Sequence, residues 1–413
     1  MSRFVATFLI FGSAAVLSGC GAPGDSFRPN LVYLKIQEEN AQTDLTTQQE
    51  QDIQQVLVAL FGTPDEPRLP AFDGVDVGSV LNIKDLRIAA GPIGRDRDKQ
   101  LRGLYREHCA LCHGISGDGA GPAAAFMNPY PRDFRRGTFK FKSTEGPGTP
   151  PTDGDLKAIV TNGMPGTAMP AFRLLGDDQL DALVEYVKYL AIRGEVERFL
   201  VFESVDVLES AEDRLIDLAL EDSDPATYAE QMGEVETLVS FVVQKWIDAD
   251  TPGRAVSIPE KSAKWDLAAS IRRGQELFLG KVANCVKCHG PEALGDGQTD
   301  DYDDWTKEFF DPQNPDASGP YLALGALKPR KIRPRNLRLG IFHGGSRSED
   351  LYWRIHNGIA GTPMPAAPMK AENAEADDMR LTSADVWHLV DFVEHLPSAP
   401  MIGAKPEELT YVD

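Results

Sequence analysis

Two short segments of the chain carry the same five-residue pattern, Cys-x-x-Cys-His. They are Cys109-Ala-Leu-Cys112-His113 and Cys285-Val-Lys-Cys288-His289. Two thiols at this spacing can add across the vinyl groups of one haem, and the histidine that follows is then placed to ligate the iron. The sequence therefore predicts two covalently bound haem c groups, with His113 and His289 as proximal iron ligands.

Two other uses of a Cys-x-x-Cys pair fit less well. A zinc site needs four ligands, and His108 is the one additional candidate near the first motif, while nothing comparable flanks the second. A thioredoxin-like redox pair would not occur twice with a histidine in the same place. Haem attachment is the interpretation that both copies favour.

A second iron ligand is predicted downstream of each motif. The segment from Asn162 to Met169-Pro170 aligns with the segment from Asn357 to Met364-Pro365. In this alignment Met164 falls opposite Ile359, which cannot bind iron, so Met169 and Met364 are the predicted distal ligands. Core packing is the alternative role of any single methionine. A thioether ligand raises the reduction potential and fills the position that oxygen would need, which indicates electron transfer.

The repeat extends beyond the ligands. Gly117-Asp118-Gly119 is paired with Gly295-Asp296-Gly297, and residues 131–135 are paired with residues 334–338. Short helices are predicted before each motif at 99–105 and 271–279. Apolar residues at helical spacing predict a closing helix at 179–190 and another at 384–396. Two related domains follow from this pattern.

Each repeat resembles a class I cytochrome c domain. The motif, the downstream Met-Pro and the closing helix with its Leu-Val-x-Tyr/Phe-Val pattern carry the resemblance, over residues 95–195 and 262–400. It implies a small all-α fold around a mostly buried haem that passes single electrons. The second copy departs from the simple form, because its histidine and methionine are 75 positions apart against 56 in the first. An acidic insertion near residues 300–316 accounts for the difference and either covers the haem edge or presents it to one partner.

Basic residues follow both motifs. Arg132 and Arg335 occupy the same place in the repeat, and a bidentate guanidinium suits the anionic propionates of a haem. They are therefore candidate haem-binding residues, with a solvated basic loop as the alternative. Four histidines have no counterpart in the first copy and are predicted to be surface or core residues rather than iron ligands: His343, His356, His388 and His395.

The first twenty residues predict export. A short basic start precedes an apolar run of about fourteen residues, too short for a comfortable membrane span, which predicts a signal peptide over residues 1–19. The ending Leu17-Ser18-Gly19-Cys20 resembles a bacterial lipobox, which implies lipidation of Cys20. An ordinary signal peptide or a short anchor helix is the alternative. The chain has five cysteines, four in the two motifs and one at this position. A lipid-anchored protein on the periplasmic side of a bacterial membrane is expected.

The remaining segments connect these parts. Residues 20–94 are predicted to form an irregular arm with one helix, which starts at a capping box from Thr47 to Glu50. Residues 196–261 are predicted to be an acidic helical spacer and linker, and residues 401–413 a C-terminal tail. A net charge of −21 argues against binding to nucleic acid.

The predicted protein is mainly α, with two cytochrome c-like all-α haem domains joined by a helical spacer. The predicted function is electron transfer between redox proteins, or to a membrane respiratory complex, by a dihaem carrier. Two alternatives remain open. One is a dihaem enzyme, such as a peroxidase or a sulfur-compound oxidase, with one open distal site. The other is a fixed cytochrome subunit of a respiratory complex.

Overall fold

Helices dominate this computed structural model, which describes residues 26–208, 210, 212–298, 301–371 and 379–401. Cys20 and the predicted signal peptide lie outside these residues, as does all but the first residue of the predicted tail. The β-structure of the described chain consists of two short antiparallel ladders, Gly94–Arg95 with Leu101–Arg102 and Asp301–Tyr302 with Lys331–Ile332. The predicted mainly α fold is confirmed.

Within the part of the chain that the structure describes, every helix is too short or too polar to cross a bilayer.

The arm is more helical than predicted. Its described part contains a 3₁₀ turn at Val77–Ser79 and α-helices at Leu31–Ala41, Thr47–Phe61 and Ile83–Ala89. The predicted helix is present, but its cap is Thr46 rather than Thr47, since Thr46 Oγ1 accepts from the Gln49 amide at 3.3 Å. The prediction of a single helix was wrong because Leu31–Ala41 has little helical periodicity of its own and is held by packing against the rest of the protein.

The first repeat begins differently from the prediction. Leu101–Arg102 is a strand, and the helix predicted at 99–105 starts only at Leu104. The further elements are 3₁₀ turns and α-helices at Leu104–His108, Ala110–His113, Ala124–Phe126, Phe134–Arg136, Asp153–Asn162 and Asp177–Val207.

The closing helix of the first repeat continues far past its predicted end. Asp177–Val207 is one helix of 31 residues and crosses the predicted boundary at residue 195. Its buried stripe continues through Ile192, Val196 and Leu200, so no local signal ends it at residue 190. The spacer contributes Leu220–Ser223 and Pro225–Ala249, and the latter begins at Asp224-Pro225 as predicted.

The apolar residues form two separate cores. One extends from Phe27 to Trp246 and joins the arm, the first repeat and the spacer. The other extends from Leu277 to Leu396 and lies within the second repeat. The spacer is therefore part of the first folding unit rather than a free linker.

The second repeat is closed by a tight helix crossing. Leu267–Leu279 meets Ser383–His395 at Gly274, where a Cβ atom would come within 2.0 Å of the His388 carbonyl oxygen. The backbones can approach this closely because glycine has no side chain. The other helical elements of this repeat are Val286–His289, Asp304–Lys307, Pro315–Ser318, Gly319–Ala323, Leu337–Leu339, Ser348–Asn357 and Leu396–Ser398.

The backbone corrects the predicted pairing of the two Gly-Asp-Gly strings. Gly119 donates its amide to the His113 carbonyl at 2.9 Å, and Gly295 donates to the His289 carbonyl at the same distance. The equivalent of Gly295 is therefore Gly119, two positions from the predicted register. The residue that matches Gly117 is Ala293, and both have positive φ angles, 68° and 59°. The Gly-Asp-Gly strings of the two repeats are therefore identical in sequence but do not occupy equivalent backbone positions.

The two repeats pack directly against each other. Arg330 of the second repeat donates to the carbonyls of Met127 at 2.6 Å and Ala125 at 2.8 Å, and its guanidinium lies 4.1 Å from the centroid of the Tyr130 ring. On the other side, Asn357 donates its side-chain amide to carbonyls of residues 142–144. Polar contacts of this kind fix orientation more than they bury apolar area.

Candidate haem sites

Each motif histidine is oriented by a backbone carbonyl. Nδ1 of His113 lies 3.0 Å from the carbonyl oxygen of Arg132, and Nδ1 of His289 lies 3.0 Å from that of Arg335. A carbonyl can only accept, so each Nδ1 carries the proton and each Nε2 presents its lone pair. This is the arrangement that metal-ligating histidines use. Phe134 stacks on the His113 ring, 4.6 Å between centroids, and further restricts its rotation.

The first cysteine of each motif lies in surroundings that do not activate its thiol. Burial raises the pKa of Cys109 to about 12 and that of Cys285 to about 11. Redox-active pairs have lowered thiol pKa values, so these motifs differ from a thioredoxin-like site. No group of three or more acidic, cysteine or histidine side chains in the described chain has the arrangement of a metal site. The zinc alternative therefore lacks its further ligands.

The two methionine segments have the same backbone structure. Met164 donates its amide to the Met169 carbonyl at 3.1 Å, and Ile359 donates to the Met364 carbonyl at 3.0 Å. The predicted equivalence of Met169 and Met364 is therefore borne out in the backbone, as is that of Met164 with Ile359. A threonine hydroxyl two residues earlier accepts from the amide of each predicted ligand, at 3.1 and 3.3 Å.

One continuous cavity of about 1640 Å³ contacts both motifs and both methionine segments. Ordinary single-ligand pockets are about 300–1,000 Å³, so this space is larger than one such ligand requires. His113, Met169, His289 and Met364 all line it. The histidine lone pairs, thiols and thioethers beside it are the donor set of a covalently attached haem, and the residues present fit that group.

The candidate propionate arginines differ in their surroundings. Both line the cavity. Desolvation of its guanidinium lowers the pKa of Arg132 to about 9. Arg335 is partly exposed and donates from Nη2 to Nδ1 of His343 at 3.0 Å. A guanidinium beside a cavity suits a carboxylate ligand in either place.

The histidines of the second repeat that have no counterpart in the first repeat lie in different surroundings. His388 packs on Trp265, 4.6 Å between centroids, and contacts the Ser270 hydroxyl at 2.8 Å, as expected of a core residue. His356 contacts Asn357. His343 lines the cavity, and its buried Nε2 has no hydrogen-bond partner among the described residues.

The acidic insertion forms part of the cavity wall. Asp301, Asp303 and Glu308 all line the cavity. The Glu308 carboxylate accepts from both terminal nitrogens of Arg136 at 2.8 and 2.6 Å, which ties the insertion to the first repeat. Of the two roles considered for the insertion, covering the site agrees with this position.

Two residues of the first site were missed by the sequence reasoning. Arg198 and Tyr33 line the same cavity, and the Arg198 guanidinium lies 3.7 Å from the centroid of the Tyr33 ring. Neither lies in the repeat, so comparison of the two copies could not find them. The one available signal was an arginine within an otherwise apolar stretch shortly after the predicted closing helix.

Known proteins match both repeats. A family model described as cytochrome c oxidase, cbb3-type, subunit III matches residues 96–187, and one described as cytochrome c matches residues 271–397. Cytochrome c55X of Paracoccus denitrificans (strain Pd 1222) is 30% identical over 99 residues, which are 24% of this chain and 79% of that protein.

A solved structure also overlaps the chain. It belongs to the Kuenenia stuttgartiensis reducing HAO-like protein complex, with a TM-score of 0.44 at 24% identity, and covers 71% of this chain and 93% of that one.

The matched segments include both Cys-x-x-Cys-His motifs, the first part of the closing helix Asp177–Val207 and all of the closing helix Ser383–His395. Cytochrome c domains hold haem c covalently and transfer electrons through it, which agrees with the donor set around the cavity. The chain belongs to the c-type cytochromes and contains two cytochrome c domains in tandem.

Proposed function

We propose that this chain is a dihaem cytochrome c, lipid-anchored on the periplasmic side of a bacterial membrane, that carries single electrons between redox partners. A bound haem c supplies a reversible one-electron iron couple. The observation that carries the proposal is the matched pair of methionine segments that line one cavity together with two histidines of the same orientation.

The protein's part would be to hold the iron of each haem with two of its own side chains. His113 with Met169, and His289 with Met364, would provide two permanent ligands at each site. Protein ligands that stay bound in both oxidation states exclude oxygen and peroxide. The hydrogen bonds that hold each histidine ring and each methionine backbone limit rearrangement during transfer.

The shared cavity supports relay between the two sites. Residues of both repeats line it without an intervening layer of core, and Arg330, Asn357 and Glu308 hold the repeats together around it. An electron that enters at one site would therefore reach the other within the same chain. A partner would need to contact only one repeat.

A fixed subunit of a respiratory complex is the second candidate. The family model that matches residues 96–187 carries the name of an oxidase subunit, and the additional arm and spacer provide surface for stable contacts. The chemistry of the two candidates is the same. Purification from native membranes in mild detergent separates them, since a carrier is recovered as a free chain and a subunit with its complex.

The dihaem enzyme requires one open distal site. A redox titration followed by optical and spin-resonance spectra counts the haems and identifies both ligand sets. The expected result is two haems that both show the far-red band of methionine-to-iron ligation and do not bind carbon monoxide rapidly when reduced. Rapid carbon monoxide binding by half of the haem in the wild-type chain would favour the enzyme instead.

The anchor has its own test. Cys20 is proposed to carry the lipid because it ends a segment that resembles a lipobox. The wild-type chain should fractionate with membranes, whereas Cys20→Ser should appear in the soluble periplasmic fraction with both haems attached. Equal membrane association of both chains would argue against lipidation at this position.

A further inference from the structure

The arm is fastened to one face of the long helix Asp177–Val207 by three successive contacts. Phe27 lies under the Arg193 guanidinium, 4.3 Å from it to the ring centroid. The Asn30 amide donates to the buried Glu197 carboxylate at 2.8 Å. Tyr33 then lies under Arg198. The arm therefore packs along the C-terminal part of this helix. The shorter closing helix of the second repeat, Ser383–His395, has no such part.

The helix approaches the first motif at Gly194. A Cβ atom there would come within 2.2 Å of Arg135 Cα, so only glycine lets the helix lie this close to the 3₁₀ turn Phe134–Arg136. Phe134 in that turn stacks on His113. Arg198 follows one helical turn later, which places it beside the first site.

Arg198 is a partly buried cation without a hydrogen-bonded anionic partner among the described residues. It lines the cavity and makes no hydrogen bond or ion pair to the described residues apart from its contact with the Tyr33 ring. Burial and the nearby Arg136 lower the pKa of Arg198. A buried charge is unfavourable unless an opposite charge or hydrogen-bond acceptors compensate for it.

The nearby carboxylates are already engaged. Glu308 accepts from both terminal nitrogens of Arg136, and Asp133 accepts from Nε and Nη2 of Arg135 at 3.0 and 2.9 Å. The positive charge of Arg198 in the cavity wall is therefore not neutralised by these two carboxylates. An anion in the cavity would supply what the protein does not.

We propose that Arg198 binds a propionate carboxylate of the haem held by Cys109, Cys112 and His113, and that Tyr33 of the arm holds the guanidinium in place. The inference rests on the haem site of the proposed function. Among the described residues, the second repeat has no counterpart, because its closing helix ends at His395. The two haems of one chain would therefore differ in potential although their ligand sets are alike.

The test compares midpoint potentials of both haems in Arg198→Gln, Arg198→Lys and the wild type. Loss of a cation beside the haem favours ferric iron. We expect Arg198→Gln to raise the ferric-to-ferrous ratio of the first haem about tenfold at fixed potential, a decrease of about 59 mV for one electron. Arg198→Lys keeps the charge and should recover most of this. Arg254→Gln, an equal charge change at an exposed residue, is the matched control and should change neither haem.

A chain that carries Cys109→Ser and Cys112→Ser identifies the affected haem. Only the haem of the second motif remains attached in this chain, so its midpoint potential can be measured alone. Tyr33→Phe should behave as wild type and Tyr33→Leu should shift the first haem in the same direction as Arg198→Gln. If Arg198→Gln does not accumulate, the two Tyr33 variants, which retain the charge, provide the comparison.

Three results would overturn the proposal: unchanged potentials in folded, fully loaded Arg198→Gln; a shift confined to the second haem; or a wild-type potential that moves when inorganic phosphate is added, which would indicate a free anion at Arg198. Failure of the underlying function would look different. It would appear in the wild-type chain as missing haem or absent methionine ligation.

Discussion

The carbonyl oxygen of Arg335 lies 3.0 Å from Nδ1 of His289, so a residue 46 positions away along the chain sets the orientation of the ring. The contact uses the backbone of Arg335, which leaves its side chain available for another role. That side chain donates to His343 and lines the cavity. Substitution of Arg335 can therefore change the charge beside the site without removing the atom that orients His289.

Substitution of Met169 and of Met164 in turn should show which of the two methionines binds the iron of the first haem. Met169→Leu should remove the far-red band of the first haem, allow carbon monoxide to bind without denaturant and lower its potential by on the order of 0.1 V, because a soft ligand that favours ferrous iron is lost. Met164→Leu is the matched control and should retain all three properties. If Met164→Leu instead let carbon monoxide bind to the first haem, Met164 and not Met169 would be the iron ligand.

Arg330 should hold the repeats together. Arg330→Met removes two hydrogen bonds from a charged donor and the stacking on Tyr130, which together stabilise the contact by about 1–3 kcal/mol. We expect roughly tenfold faster amide hydrogen exchange around residues 124–130, measured by mass spectrometry. Arg333→Met, three residues later at an exposed position, should leave the exchange of residues 124–130 unchanged.

Gly117 and Ala293 provide a matched pair of backbone tests. Gly117→Ala places a methyl group in the left-handed region and within 3.0 Å of Leu190 Cδ1, and should lower the free energy of unfolding by about 1–2 kcal/mol. Ala293→Gly relieves similar strain but loses one buried methyl group, worth about 0.8 kcal/mol, so its net effect should be below about 1 kcal/mol. Denaturant unfolding of both variants measures the difference. Equal destabilisation by the two changes would contradict the corrected register.

His343 should make the protein less stable in acid. Burial and then the Arg335 guanidinium lower the pKa of His343 from 6.5 to about 4. Below pH 6.5 the unfolded chain takes up a proton that the folded chain binds only near pH 4, so stability falls as the pH falls through this window. The loss should be about 1–2 kcal/mol, allowing for partial exposure to solvent.

Melting temperatures between pH 7 and pH 4 test this. His343→Gln should show a weaker pH dependence than the wild type over that range. The exposed His395→Gln should follow the wild type. A wild-type slope retained in His343→Gln would assign the acid sensitivity to other groups.

The sequence was most informative where chemistry restricts residue type. The motifs, the pairing of Met169 with Met364 and the helix from Pro225 could be predicted, because each depends on local spacing or on a strong cap. The arm helix Leu31–Ala41 could not, since its stability comes from contacts with residues more than 150 positions away, such as Glu197. The register of the Gly-Asp-Gly strings failed because identical letters concealed different backbone roles, which hydrogen bonds to His113 and His289 revealed.

The helix Asp177–Val207 also has a consequence for how far each folding unit extends. The first repeat continues at its outer ends into the arm and the spacer, whereas the second contains the acidic insertion in its interior. A fragment that stops at residue 195 would remove Glu197 and Arg198 from beneath the arm, together with Val196 and Leu200, and would expose the apolar residues that pack against them. The two repeats therefore need different lengths of chain to complete a core: the first draws on the arm and the spacer, whereas the core of the second lies within its own repeat.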